Sequence, residues 1–220
     1  MIRFKQYISE GVNDPAIFKA IFLAGGPGSG KSFIVGQTAL TALGMRVVNS
    51  DDAFEAAMKK AGIEMDPENI FSVRGQEIRG RAKTLTGKKQ ELYLKGRLGI
   101  VIDGTGKDYD KIKNQSVKLK QLGYDTAMIF VNTDKETALA RNRARARSLP
   151  DSEVEKLWNA VQNNIGKFQG HFGGNFIVLD NSDGANWKAG TQKGYKWATK
   201  FTKSPPKSPI AKKWIAKERG

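Results

Sequence analysis

Short apolar runs recur along this chain, and each is closed by polar or glycine residues. Ala20–Ala24 leads into a glycine-rich stretch. Met45–Val48 ends in Asn49, Ser50, Asp51 and Asp52. Gly99–Asp103 runs into Gly104 and Thr105, while Ala127–Val131 and Phe176–Leu179 precede Asn132 and Asp180. These runs lack period-two alternation, which predicts strands buried on both faces. Helical patterns fill the gaps: Lys31–Ala42, Phe54–Ala61, Gln76–Arg97 with a kink near Gly80 and Gly87, and Asp110–Leu122 closed by Gly123. Thr133 with Glu136, and Ser152 with Glu155, have capping-box spacing. After Ser152 the apolar positions Val154, Leu157, Trp158, Val161, Ile165 and Phe168 trace one helical stripe, expected to be core. Strands alternating with helices predict an α/β fold with a mostly parallel five-stranded sheet.

The alternation stops near Asn181. From there to Gly220, nine lysines and one arginine face only Asp183 and Glu218, a net +8, with Trp187, Trp197 and Trp214 among them. The expected organisation is an N-terminal leader over 1–17, a globular domain over 18–181 and a basic aromatic extension over 182–220. The whole chain of 220 residues carries +15. That surplus points to an anionic partner, nucleic acid in particular, through a single-stranded end or loop. In the extension, lysines would neutralise phosphates and aromatic faces would stack on bases; packing of the tryptophans on the domain is the other reading. There is no cysteine and one histidine, His171. This excludes disulfides, thiolate metal sites and cysteine nucleophiles, and disfavours a histidine-centred triad. No apolar run approaches the roughly 20 residues that span a bilayer, so no membrane partner is expected.

One stretch carries chemistry on its face. Gly25-Gly26-Pro27-Gly28-Ser29-Gly30-Lys31-Ser32 fits G-x-x-x-x-G-K-[ST], after a predicted strand and before a predicted helix. Such a loop turns successive N–H groups toward an anion at a helix N-terminus. Lys31 would reach the β- and γ-phosphates of ATP, and the Ser32 hydroxyl would bind Mg²⁺. Ligands of open α/β sheets sit at the carboxyl ends of strands, so the polar residues there are candidates as well. Asp51 or Asp52 could accept a proton from an attacking hydroxyl, or could cap a helix. Asp103 could hold Mg²⁺ or its water, or serve a turn. Arg141, Arg143, Arg145 and Arg147 precede Pro150; Arg141 and Arg145 would share one helical face of a kinase-type lid that neutralises a transferring phosphoryl group, or form a solvated basic face.

Taken in order, GGPGSGKS, NSDD, VIDGT and RNRARAR before a proline resemble the P-loop kinases of the polynucleotide kinase and zeta-toxin group, in particular the kinase domains of T-even phage polynucleotide kinases. The resemblance covers Ala20 to Asn181. It implies a P-loop NTPase three-layer sandwich with the Asp103 strand beside the P-loop strand, and ATP and Mg²⁺ as cofactors. It also implies Asp51 as general base, Lys31, Arg141 and Arg145 as electrostatic stabilisers, and metal held by Ser32 with Asp103. One position departs from the pattern: polynucleotide kinases carry an arginine three residues after the base, where this chain has Phe54. The expected function is ATP-dependent phosphorylation of a hydroxyl, with a polynucleotide 5′-hydroxyl preferred over a nucleotide-sugar. The alternative of another class is a basic virion or nucleic-acid-binding protein that uses the fold only as a nucleotide-binding scaffold. "MIRFKQYISEG" is also similar to the capsid-targeting leaders of T-even-like phages, cleaved after a glutamate, here Glu10. The expected location is cytoplasmic, in the host cell for a phage-encoded protein, or the capsid interior.

Overall fold

The computed structural model describes residues 11–145 and 148–219. Residues 1–10 of the expected 1–17 leader, with Glu10 of its cleavage site, lie outside the described residues, as does Arg147 on the segment 146–147; Ala16 and Ile17, at the expected leader's end, are buried in the core. The elements run β1 (Lys19–Ala24), α1 (Lys31–Gln37), β2 (Arg46–Val48), α2 (Ser50–Lys60), α3 (Pro67–Phe71), α4 (Val73–Lys95), β3 (Ile100–Asp103) and α5 (Tyr109–Gln121). They continue with β4 (Asp125–Asn132), α6 (Lys135–Arg143), α7 (Asp151–Gln162), α8 (Ile165–Phe172), β5 (Phe176–Asp180), α9 (Trp187–Lys203) and α10 (Pro209–Arg219). The sheet is parallel throughout, in the order β2-β3-β1-β4-β5. β1 is central and wholly buried, with Leu23 in register with Asp103 of β3 on one side and Ile129 of β4 on the other. The chain leaves β1 where the strand order reverses, the place where open α/β sheets bind ligands.

Burial on both faces explains the missing alternation. Phe22 joins Phe130, Ile112, Phe168 and Phe172 under α5 and α8. Its neighbours Ile21 and Leu23 join Ile34, Ile129, Val131 and Phe201 under α1 and α9. A third cluster, Phe54, Met58, Ile70, Ile78 and Ala82, holds α2, α3 and α4 together beside the β2 edge. His171 is a packing residue between Tyr109 and Phe172, with Ser116 at 3.0 Å from its ring nitrogen.

Several local expectations are corrected. α1 stops at Gln37, not Ala42: the Thr38 hydroxyl donates back to Ile34 O at 2.7 Å, and Ala39 takes a left-handed φ of 51°. α2 begins at Ser50, not Phe54, because the Asn49 side chain caps it by accepting from Asp51 N at 2.8 Å. α4 is one helix through Gly80 and Gly87, both exposed. The cap of α6 is Asp134, not Thr133. α7 starts at Asp151 behind Pro150, so Ser152 caps nothing, and the single stripe is two helices broken at Asn163 and Asn164. Asn164 donates instead to Gly106 O and Lys107 O, bracing the loop after β3.

The basic tail forms α9 and α10. α9 lies on β5 and α1; α10 places Trp214 edge-on to Phe18 at 5.5 Å. Their linker is tied to the sheet by Lys19, whose buried ammonium donates to Asp125 at 2.7 Å and Ser204 at 3.0 Å. Trp197 stacks on Phe201 and packs on the core, whereas Trp187 and Tyr195 are each 44% exposed. Among the described residues, no helix is long and apolar enough to cross a membrane. Trp214→Ala should lower stability by about 2–4 kcal/mol, since large aromatic truncations in cores cost about 3–5 and Trp214 is partly buried. Urea unfolding measures it, and an unchanged midpoint would show that α10 adds nothing to the sheet.

Candidate functional site

The loop from Gly25 to Gly30 follows β1 into α1, and its shape depends on missing side chains. Gly28 and Gly30 have φ of 73° and 79°. A Cβ on Gly28 would lie 2.5 Å from Ala138 O, and one on Gly30 2.3 Å from Asn181 Nδ2. Neither position tolerates another residue without movement of backbone or of a buried amide. The loop is pinned from outside: Asn181 donates to Ser29 O at 2.8 Å, and Gly25 N donates to Thr105 O at 3.1 Å. Asn181 also accepts from Arg141 Nη1 through its carbonyl at 2.8 Å, and its own N–H donates to Asn132 O at 2.9 Å. One residue thus joins the ends of β4 and β5, the glycine loop and a lid arginine.

Lys31 opens α1, and its ammonium donates to Gly25 O at 2.7 Å. Burial lowers its pKa; Asp103 opposes that, Arg145 adds to it, and Asp51 opposes it more weakly. Asp103, at the end of β3, has its pKa raised, by burial above all; Lys31 counters this, while Asp52 and Asp51 reinforce it. Its Oδ2 accepts from Asn49 Nδ2 at 3.0 Å, and the same Asn49 amide donates to Asp52 Oδ1 at 3.0 Å. Asn49 therefore ties the end of β3 to the first turn of α2 through Asp103 and Asp52, while Lys31 and Asp103 act on each other through their charges.

The predicted residues fall as follows. Gly25, Gly26, Gly28, Ser29, Gly30, Lys31 and Ser32 form the loop and the first turn of α1, with Ser32 exposed. Asp51 and Asp52 sit in the first turn of α2, both exposed. Arg141 lies on α6, paired with Asp183 at 2.7 Å, its Nη1 3.9 Å from where a Gly30 Cβ would be. Arg145 lies past the helix end, so it does not share a helical face with Arg141, yet its charge still acts on Lys31. Arg143 is turned away, paired with Asp151. Asn49, Asn181 and Asp183 were not singled out for roles; only their place after strand ends pointed to them.

The donor set suits a hard divalent cation. Asp103 Oδ1 is buried with no hydrogen-bond partner among the described residues, and the Ser32 hydroxyl opens the neighbouring helix. No cluster of three or more acidic or histidine side chains, among the described residues, would cage a metal unaided. That is the pattern of Mg²⁺, held by one or two protein oxygens together with substrate phosphates.

A family model described as an AAA domain (AAA_33) matches residues 21–165, from β1 to the start of α8. The chain belongs to this family. Solved structures agree on the fold of this AAA-domain chain. The PezAT toxin–antitoxin system of Streptococcus pneumoniae matches with a TM-score of 0.53 at 15% identity, over 83% of this chain and 87% of that one. A gluconokinase from Sinorhizobium meliloti matches at 0.50 and 13% identity, over 84% and 94%. The Pnkp1/Rnl/Hen1 RNA repair complex matches at 0.52 and 23% identity, over 69% of this chain and 46% of that one. No curated protein matches the chain in sequence. The AAA-domain chain thus has the α/β P-loop fold that kinases share, with the Asp103 strand beside the P-loop strand as expected.

Asn181→Ala would remove the side-chain bond to Ser29 O while keeping the main-chain carbonyl that Arg141 bonds. We expect nucleotide affinity to fall about tenfold, with a stability loss of about 1–2 kcal/mol for the buried hydrogen bond. Calorimetric titration with Mg·ATP checks it; wild-type affinity in the folded variant would show that the loop holds its shape without this tie.

Proposed function

We propose that this chain is an ATP-dependent kinase that transfers the γ-phosphoryl group to the 5′-hydroxyl of a polynucleotide. The observation that carries the reading is the convergence of Lys31, Asp103, Asn49 and the two α2 carboxylates on the glycine loop. The loop amides from Gly25 to Ser32 and the Lys31 ammonium hold the β- and γ-phosphates. Ser32 and Asp103 would hold Mg²⁺, which when bound neutralises phosphate charge. Asp51 takes the acceptor proton as the hydroxyl oxygen attacks phosphorus; the bond to the bridging oxygen breaks and ADP leaves. Asp51 is preferred to Asp52 because the resemblance puts the base at Asp51 and because the Asp52 carboxylate is already engaged, its Oδ1 accepting from Asn49 Nδ2 at 3.0 Å. Arg141 and Arg145 stabilise the charge that spreads over the transferring group. The net charge of +15 and the likeness to an RNA repair complex support a polynucleotide acceptor.

A second reading, transfer to a nucleotide-sugar, is favoured by Phe54. Its ring is fully buried with the Arg79 guanidinium 4.8 Å above it, so this position presents no cation to an acceptor phosphate.

Lys31→Ala should reduce transfer at least about 10²-fold while the chain stays folded, because it removes charge stabilisation at the reacting phosphate and no core contact. A radiolabelled γ-phosphate assay against DNA, RNA, nucleosides and nucleotide-sugars reads this, and near-normal turnover would refute the catalytic role. Asp51→Asn should lower kcat by about 10²–10⁴-fold with ATP affinity little changed. A larger loss from Asp52→Asn would move the base to that carboxylate.

A further inference from the structure

A cleft of about 600 Å³ opens along the β2 edge, between that strand, α2 and α4. It is separate from the glycine loop but touches the same polar chain, for Asn49 and Asp52 form its inner end. Val47 and Ala53 line one wall, Leu85 and Leu92 the other, and Lys88 and Lys89 complete its lining on α4. Leu85 and Leu92, on one face of α4 two turns apart, are 69% and 64% exposed, an exposed apolar pair on an otherwise polar helix face. The volume lies within the range of sites that take small organic ligands.

We propose that this cleft is the acceptor site and that it takes a nucleoside phosphate, with the base against Leu85 and Leu92, the phosphate on Lys88 and Lys89, and the free hydroxyl toward the first turn of α2, where Asp52 lines the cleft next to the proposed base Asp51. The inference rests on the kinase reading and narrows its acceptor. Three observations carry it. The cleft is continuous with the candidate reacting groups through Asn49, which bonds Asp103 and Asp52 alike. Its lining pairs apolar surface with cations, which suits a flat base attached to an anion. Phe54 carries no cation, the Arg79 guanidinium beside it lies over its ring at 4.8 Å and is not among the residues lining the cleft, and the lysine-rich α9 packs on β5, at the opposite edge of the sheet from β2. α4 therefore takes over the phosphate-gripping role that Phe54 leaves open. A polynucleotide end and a nucleotide-sugar share this chemistry, and the choice of probe separates them.

The test is equilibrium binding followed by kinetics, on the full chain with Leu85→Glu, with Lys88→Glu combined with Lys89→Glu, and with Lys118→Glu on α5 as a remote charge control. All substituted residues are exposed, so the variants keep their cores. The probes are a fluorescent 5′-hydroxyl trinucleotide and a fluorescent uridine diphosphate sugar, followed by anisotropy. We expect the Leu85 and the double lysine variants each to bind the preferred probe at least about tenfold more weakly, with Mg·ATP affinity and the control unchanged. In turnover, KM for the acceptor should rise while kcat stays within about threefold. Equal loss in the Lys118→Glu control would mean general electrostatics, and wild-type binding by the cleft variants would mean that the acceptor sits elsewhere; either overturns the proposal. If the cleft variants lose binding but the wild type transfers phosphate to neither probe, the cleft stands and the kinase reading fails. Tighter binding of the trinucleotide assigns a polynucleotide end; tighter binding of the sugar assigns the nucleotide-sugar.

Discussion

The glycine loop keeps its shape because its backbone is held from three sides, and the amide of Asn181 is the tie on which the others converge. A loop with left-handed residues at Gly28 and Gly30 has much freedom to lose and few side chains to hold it. Here the Asn181 side chain fixes Ser29 O, Thr105 O receives Gly25 N, and the wall formed by Ala138 closes on Gly28. These contacts come from the ends of β3, β4 and β5 and from α6. The parallel sheet is what brings those ends to one side, so the fold serves the loop by delivering its anchors.

The same arrangement concentrates buried charge. Lys31 and Asp103 are each pushed toward neutrality by burial, and each counters that tendency in the other. A buried pair of this kind adds little net stability, since desolvation offsets attraction. Its value is in placement. Charge fixed in advance near a reacting phosphate needs no reorganisation when that phosphate arrives. The unpartnered Oδ1 of Asp103 belongs to the same logic: a polar atom left unsatisfied in the bare fold is one that a cation can satisfy.

What could be read from the sequence divides along a physical line. The central strands β1 and β4 were legible as apolar runs buried on both faces, and the glycine loop because its eight residues are consecutive; the edge strands are less fully covered, β2 carrying Arg46 and β5 alternating, with Val178 exposed. Local rules failed where a distant partner decided the outcome. Thr133 has capping-box spacing, but it is buried and its carbonyl accepts from the Trp158 indole at 2.8 Å, so Asp134 caps the helix. Gly80 and Gly87 were expected to kink α4, yet both lie where nothing presses on the helix, and each then costs only about 1 kcal/mol of propensity. Asn49, Asn181 and Asp183 act through bonds to residues 40 to 152 positions away, except for the cap of α2 and the bond to Asp52, and no spacing announces such bonds.

The two halves of the site rest on different cores, and this bears on what can vary. The glycine loop, Lys31 and Asp103 stand on the sheet and its two covering layers. Asp51 and Asp52 stand on α2, whose cluster with α3 and α4 (Phe54, Met58, Ile70, Ile78 and Ala82) contains no strand residue, and the cleft lies between these helices and β2. Packed cores transmit a change in volume to their own neighbours first. On the proposed reading, a change on the exposed face of α4 would alter what the cleft accepts without moving Lys31 or Asp103. The Asn49 amide is a hydrogen-bond link between the halves, donating to a carboxylate on each side. Its two bonds tie the first turn of α2 to the strand end beside the glycine loop, and in the proposed transfer that spacing is the dimension the reaction could not leave free.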